Sequence, residues 1–202
     1  MADQGTDAAF ARLVSLACHD LRTPLATVLG FVRTLPRVVD LDERAARYVE
    51  LMEAAGSQLA ELLDDLSLAA RIEEGRFDPA LRGADSLELA RAAAERVSEG
   101  EVTVSGPGGP VAVDPDTVVR SLGHLARCAV RHGALERLEL EADGPRITFA
   151  PVAADVVPIA LGEELRDLGA AVAVRTIAAL GGSTAAEDGR LVVRLPLDPL
   201  VS

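Results

Sequence analysis

A heptad repeat near the start of the chain constrains its fold more than any other feature. Apolar residues fall at Val14, Cys18, Leu21, Leu25, Val28, Val32 and Leu35, in alternating steps of four and three. That is the spacing of a helix that packs along its length on other helices. Within it lies Cys18-His19-Asp20-Leu21-Arg22-Thr23-Pro24-Leu25. His19 stands one place past the seam, so its ring is expected to reach solvent at the edge of the buried stripe. Arg22 and Thr23 follow one turn on along the same face. Pro24 removes a backbone hydrogen bond just after His19, a local cost of about 3 kcal/mol that packing elsewhere must offset. A core histidine with a satisfied ring does not fit this setting.

The first helix is read over residues 7–36. Asp40-Leu41-Asp42-Glu43 then supplies caps and an acidic first turn for a second helix. Met52, Leu59 and Leu66 repeat every seven residues in it, as do Ala55, Leu62 and Ala69. The two helices read as an antiparallel hairpin, and a lone hairpin cannot bury two such stripes. Pairing with a second copy into a four-helix bundle resolves this, so a homodimer is expected with Leu21, Val28, Leu59, Leu62 and Leu66 in its core. Gly75 reads as the helix stop, with Arg76-Phe77-Asp78-Pro79 beginning a short linker.

Past that point the patterning becomes mixed α and β. Asp85 or Ser86 caps a helix to about Val97. Residues 101–105 and 110–113 read as strands joined by Gly106-Pro107-Gly108-Gly109, a run that opens no helix and so reads as a hairpin loop rather than a phosphate cradle. Asp114 with Pro115 starts a helix to about His132. Strands follow near 135–142 and 146–151, then a last helix over 163–180, and Glu187-Asp188-Gly189-Arg190 turns into a closing strand. The expected class is α+β: a helical hairpin in a dimeric four-helix bundle, then a two-layer sandwich with helices on one face of a mostly antiparallel sheet. The expected divisions are 1–75 for the hairpin, 76–82 for the linker and 83–202 for the sandwich.

At 49% hydrophobic and 26% charged over 202 residues, the chain has material for a real core, built from Ala, Leu and Val because aromatics are only 2%. A net charge of −12 argues against nucleic acid as main partner. Cys18 and Cys128 form no paired spacing, which points to a reducing, cytoplasmic compartment. No apolar run is long enough for a membrane span, and Met1-Ala2-Asp3-Gln4 does not read as a signal peptide. His124, Cys128 and His132 line one helix at four-residue steps, but one helix rarely supplies three tetrahedral ligands, so no metal is expected.

His19-Asp20-Leu21-Arg22-Thr23-Pro24-Leu25 resembles the phosphoacceptor box of two-component histidine kinases, differing from its usual wording only in Asp for Glu. Leu62-Leu63-Asp64-Asp65-Leu66 and Ala70-Arg71-Ile72-Glu73-Glu74-Gly75 resemble the end of the same family's dimerisation helix. The resemblance implies that His19 carries a phosphoryl group on a ring nitrogen, that Asp20 orients or deprotonates the imidazole, and that Thr23 positions a water for dephosphorylation. Arg22 is a candidate phosphoryl contact, with helix solvation as its other role. An imidazole, ordinarily near pKa 6.5, is a competent nucleophile at neutral pH, and a carboxylate beside it favours the useful tautomer.

The second half resembles the ATP-binding domain of those kinases, with informative departures. Leu122-Gly123-His124-Leu125-Ala126-Arg127-Cys128-Ala129 runs parallel to the family's Asn-bearing helix, with His124 and Cys128 at the Asn positions. The thiol is a poor ligand for magnesium. Val152 stands for the adenine-binding Asp, and Ala154 and Val156 for glycines of the Asp-x-Gly-x-Gly box. Only about ten residues separate Pro158 from Leu168, where the family has a longer flexible loop.

The expected function is therefore histidine phosphotransfer between response-regulator receiver domains through His19. No cofactor is expected on this chain, and Mg²⁺ is expected from the receiver. The alternatives are a divergent kinase that still uses ATP and a non-catalytic pseudokinase that regulates by binding. His19 is expected to be the sole phosphoacceptor, since neither His124 nor His132 has a carboxylate beside it in sequence.

Overall fold

A computed structural model describes residues 3–197, so the reading of Met1 and Ala2 lies outside the described residues. The chain divides into two compact units, 1–76 and 77–202.

The first unit is a pair of helices, α1 (Asp3–Val38) and α2 (Glu43–Glu73). Helix α1 runs on through Pro24 and Pro36. Pro24 has no N–H to give, and in the following turn Thr27 Oγ1 donates to the Thr23 carbonyl at 3.1 Å. Asp42 caps α2, accepting the Ala45 N–H at 2.7 Å. At the other end Gly75, at φ +65°, turns the chain into a left-handed conformation that glycine adopts without strain. The Gly75 N–H bonds to the Ile72 carbonyl and the Arg76 N–H to that of Arg71, the pair of bonds that closes a Schellman motif.

The hairpin buries Ala11, Cys18, Leu29 and Val32 on α1, and Val49, Leu68 and Ala70 on α2. Gly56 lets the helices approach closely: a Cβ there would lie 2.6 Å from Leu29 Cδ2. Within one hairpin the heptad seam is covered only in part. Leu29, off the seam, is buried, whereas Leu21 and Val28, on it, are 54% and 55% exposed. The stripe on α1 is wider than the seam, and the partner helix covers only one flank of it.

The second unit holds a five-stranded sheet in the order β2-β4-β5-β7-β6 and a separate two-stranded sheet, β1-β3. Its strands are β1 (Arg82–Asp85), β2 (Glu101–Gly108), β3 (Pro110–Val113), β4 (Arg137–Asp143), β5 (Arg146–Ala150), β6 (Ser183–Glu187) and β7 (Arg190–Arg194). Its helices are α3 (Ser86–Ala94), α4 (Pro115–Gly133), α5 (Val157–Ala160) and α6 (Leu168–Ala179). Among the described residues only β2 and β4 pair in parallel. Alternation along β4 sends Leu138, Leu140 and Ala142 into the core with Ile147, Phe149, Leu191 and Val193, against Leu122, Leu125 and Ala129 of α4 and Ala173 and Ile177 of α6. On the opposite side of the sheet, Arg146 and Arg194 both donate to Glu187, at 3.0 and 2.8 Å.

The expected hairpin over 101–113 does not exist. β2 pairs with β4, while β3 pairs antiparallel with β1. The glycines carry the chain from one sheet to the other: Gly106 sits at φ +103° so near β4 that a Cβ would lie 2.1 Å from the Ala142 carbonyl oxygen. Strand β1 carries no strand signal in sequence, because Arg82-Gly83-Ala84-Asp85 has no β-branched or aromatic residue. The last helix starts at Leu168, not near Glu163, because Asp167 caps it through the Ala170 N–H at 3.0 Å. Residues 157–160 form the short α5 instead.

Candidate functional site

His19 projects from α1 with its side chain 77% exposed. Its Nδ1 lies 3.1 Å from Asp20 Oδ1, a contact in which a carboxylate accepts an Nδ1 proton and favours the tautomer with Nε2 unprotonated. His19, Arg22, Thr23, Ala26 and Thr27 line one open depression on the helix surface. The i, i+3 and i+4 spacing alone places these side chains together. Arg22 reaches across to α2, where its Nη2 donates to Asp64 Oδ1 at 2.7 Å. Asp64 belongs to this neighbourhood through tertiary packing, and nothing in the spacing of the sequence links it to Arg22. Beneath the site Cys18 is buried; burial raises its thiol pKa, Arg22 opposes the shift and Asp64 adds to it.

The positions read as a degenerate nucleotide site lie in the second unit. Cys128 is fully buried, Val152 and Val156 are 4% and 1% exposed and sit in the apolar core, and Ala154 is exposed. No buried carboxylate stands at Val152 to pair with a polar ring edge. His124 is buried too: its Nδ1 accepts from Arg127 Nη2 at 2.9 Å, and its ring presses on Gly169, where a Cβ would lie 2.4 Å away.

The helical stripe of His124, Cys128 and His132 does not converge as a unit. Cys128 and His132 instead meet Asp167 from the cap of α6, and the three donor atoms lie within 4.8 Å of one another. His132 thus has a carboxylate neighbour after all, its Nε2 being 3.3 Å from Asp167 Oδ2. The contact spans 35 positions, so adjacency in sequence could not reveal it. Burial above all, with the Asp167 charge adding and Arg131 opposing, pushes the Cys128 thiol pKa up to about 12. Among the described residues no helix is long and apolar enough to cross a membrane.

Residues 11–75 match the His Kinase A phospho-acceptor domain. The chain is 32% identical over 120 residues to the probable sensor histidine kinase TcrY of Mycobacterium tuberculosis, covering 58% of this chain and 24% of that one. It is 30% identical over 121 residues to the sensor protein DivL of Caulobacter vibrioides, covering 56% and 16%. The chain thus spans a quarter or less of these relatives. Among solved structures, full-length ShkA in complex with AMPPNP superposes with a TM-score of 0.68 at 25% identity, over 92% of this chain and 45% of that one. The Acinetobacter baumannii histidine kinase AdeS shares the fold at a TM-score of 0.57, over 89% and 98%.

Proposed function

Because the chain belongs to the two-component histidine kinase family, we propose that it acts as a histidine phosphotransferase that carries a phosphoryl group on His19 between receiver domains without using ATP. The observation that carries this reading is the contrast between the two halves. The phosphoacceptor helix keeps His19, Asp20 and Thr23 exposed, while Val152 and Val156 fill the core and Cys128, at the position that resembles the family's magnesium-holding Asn, is a buried thiol and a poor ligand for that cation.

Asp20 holds the Nδ1 proton, and Nε2 attacks the phosphorus of a receiver's aspartyl phosphate. The P–O bond to the aspartate breaks as the N–P bond forms, and the reverse exchange delivers the group to a second receiver. No proton need leave the chain before transfer, so the protein's part is alignment on an exposed helix face. Mg²⁺ belongs to the receiver in this scheme. The hairpin works as a homodimer in the cytoplasm, its unpartnered apolar flank of Leu21, Val28, Leu59 and Leu62 covered by a second copy. The likeness to a chain solved with AMPPNP favours one competing reading, a divergent kinase that still binds nucleotide.

The test is incubation with a receiver carrying labelled phosphate, beside calorimetric titration with ATP and magnesium. Acid-labile label on the wild type, none on a folded His19→Gln variant and no heat from ATP are expected. Label retained by His19→Gln, or no labelling by any receiver from the same cell, overturns the reading. One micromolar ATP site per chain replaces it with the kinase.

A further inference from the structure

We propose that Cys128, His132 and Asp167 form a binding site for one zinc-class divalent cation in the second unit. Cys128 and His132 stand one turn apart on the same face of α4, and Asp167 arrives from the cap of α6. Sulfur, imidazole nitrogen and carboxylate oxygen all lie within 4.8 Å of one another, and His132 Nε2 is 3.3 Å from Asp167 Oδ2.

The fit to a metal follows from distances. Donors about 2.0–2.3 Å from a tetrahedral zinc ion lie about 3.3–3.6 Å from each other. The His132–Asp167 pair is already at that separation, and the sulfur, within 4.8 Å of both, needs no more than about 1.4 Å of side-chain adjustment to join it. A thiolate, an imidazole and one carboxylate form a borderline-soft set that suits zinc and not magnesium or calcium. Three protein ligands leave a fourth position for water or an exogenous donor.

The surroundings support the same assignment. Asp167 Oδ1 is occupied by the Ala170 N–H at 3.0 Å, which pins the carboxylate and leaves Oδ2 turned to His132. The His132 and Asp167 side chains are 20% and 12% exposed, so the ion has a route in while the sulfur stays buried. Without a cation the thiol keeps its proton, for burial and the Asp167 charge both oppose a thiolate. A divalent ion reverses that balance, and the thiol proton passes to solvent as the metal–sulfur bond forms. The simpler alternative, a half-buried His–Asp pair beside a core thiol, explains the 3.3 Å contact but predicts no metal affinity.

The experiment is a titration of the full chain with Zn²⁺ by calorimetry and with Co²⁺ by absorption, on wild type and on Cys128→Ser, Asp167→Asn and Cys18→Ala. Asp167→Asn retains a cap acceptor, so it remains informative if Cys128→Ser fails to fold. The expected result is one equivalent of Zn²⁺ per chain with Kd below about 10 μM, and a thiolate-to-cobalt charge-transfer band with the visible absorption of tetrahedral coordination. Both persist in Cys18→Ala. Cys128→Ser abolishes the band, and Asp167→Asn weakens binding at least about tenfold. Binding unchanged in both site variants, or no binding at about 100 μM metal, overturns the proposal.

Discussion

Arg22 Nη2 donates to Asp64 Oδ1 at 2.7 Å and joins the two helices of the hairpin one turn past His19. Both side chains are about half exposed, at 47% and 49%, which limits the pair to about 0.2–1 kcal/mol because water screens it. Asp64→Asn should therefore shift denaturant unfolding by no more than about 1 kcal/mol, with the difference shrinking as salt is added. A loss above about 2 kcal/mol would show the pair to be structural in a way its exposure does not support.

Thr23 shares the surface depression of His19 but makes no part of the nucleophile. Thr23→Ala should leave transfer from receiver to His19 within about threefold of wild type and slow loss of phosphate to water by at least about tenfold, since positioning a water matters only when water is the acceptor. Label decay with the receiver removed measures this. Equal decay in the two proteins would free Thr23 of that role.

The proposed homodimer rests on the uncovered flank of the hairpin. Leu21 and Leu59 are each 54% exposed in a single chain, and a second copy is expected to bury both. Truncating buried leucines costs about 2–5 kcal/mol each, so Leu21→Ala with Leu59→Ala should yield monomers or unfolded chains at micromolar concentration. Light scattering decides it, and a monomeric mass for the wild type refutes the arrangement.

Asp114 caps α4 by accepting the Thr117 N–H at 3.1 Å and holds residue 80 by accepting its N–H at 3.0 Å. Burial works to raise its pKa, but these hydrogen bonds and the Arg82 charge outweigh burial and bring it below the usual carboxylate value. A depressed folded value means the stabilisation is complete above the unfolded pKa of about 3.9 and is lost as pH falls through the lower folded value. Asp114→Asn cannot accept both bonds on oxygen, so it should cost about 1–2 kcal/mol at neutral pH and flatten the acid limb of the stability profile. An unchanged acid limb would assign the acid sensitivity elsewhere.

Gly169 gives the His124 ring its place, since a Cβ would stand 2.4 Å from Nδ1. Gly169→Ala should cost about 1–3 kcal/mol through overpacking. His124→Ala in the same chain should recover part of that loss, and a strictly additive double mutant would deny the contact.

The helical half is largely legible in the sequence, because heptad spacing, the Asp42 cap and the Gly75 stop are local signals that act within a turn or two of the chain. The same holds for the placement of His19 and Thr23, which helical periodicity alone brings to one face, while Asp20 reaches the ring from the next position along the chain. The second half was legible where a cap announced an element, as Asp114 and Pro115 announce α4. It failed where partners are distant. Strand 101–108 pairs with 137–143 rather than with its neighbour, and backbone hydrogen bonds across a sheet leave no trace in spacing.

What the sequence determined by itself was therefore the helix that matches the phospho-acceptor domain and the hairpin it forms. Only the tertiary structure decided that Leu29 and not Leu21 packs inside the hairpin, that Arg22 meets Asp64, and that Cys128 and His132 gain Asp167 as a third donor. The physical reason is one of range. Local elements follow from backbone geometry and side-chain period, whereas residues 35 or 42 positions apart come together only when burial of the apolar faces fixes how the elements pack.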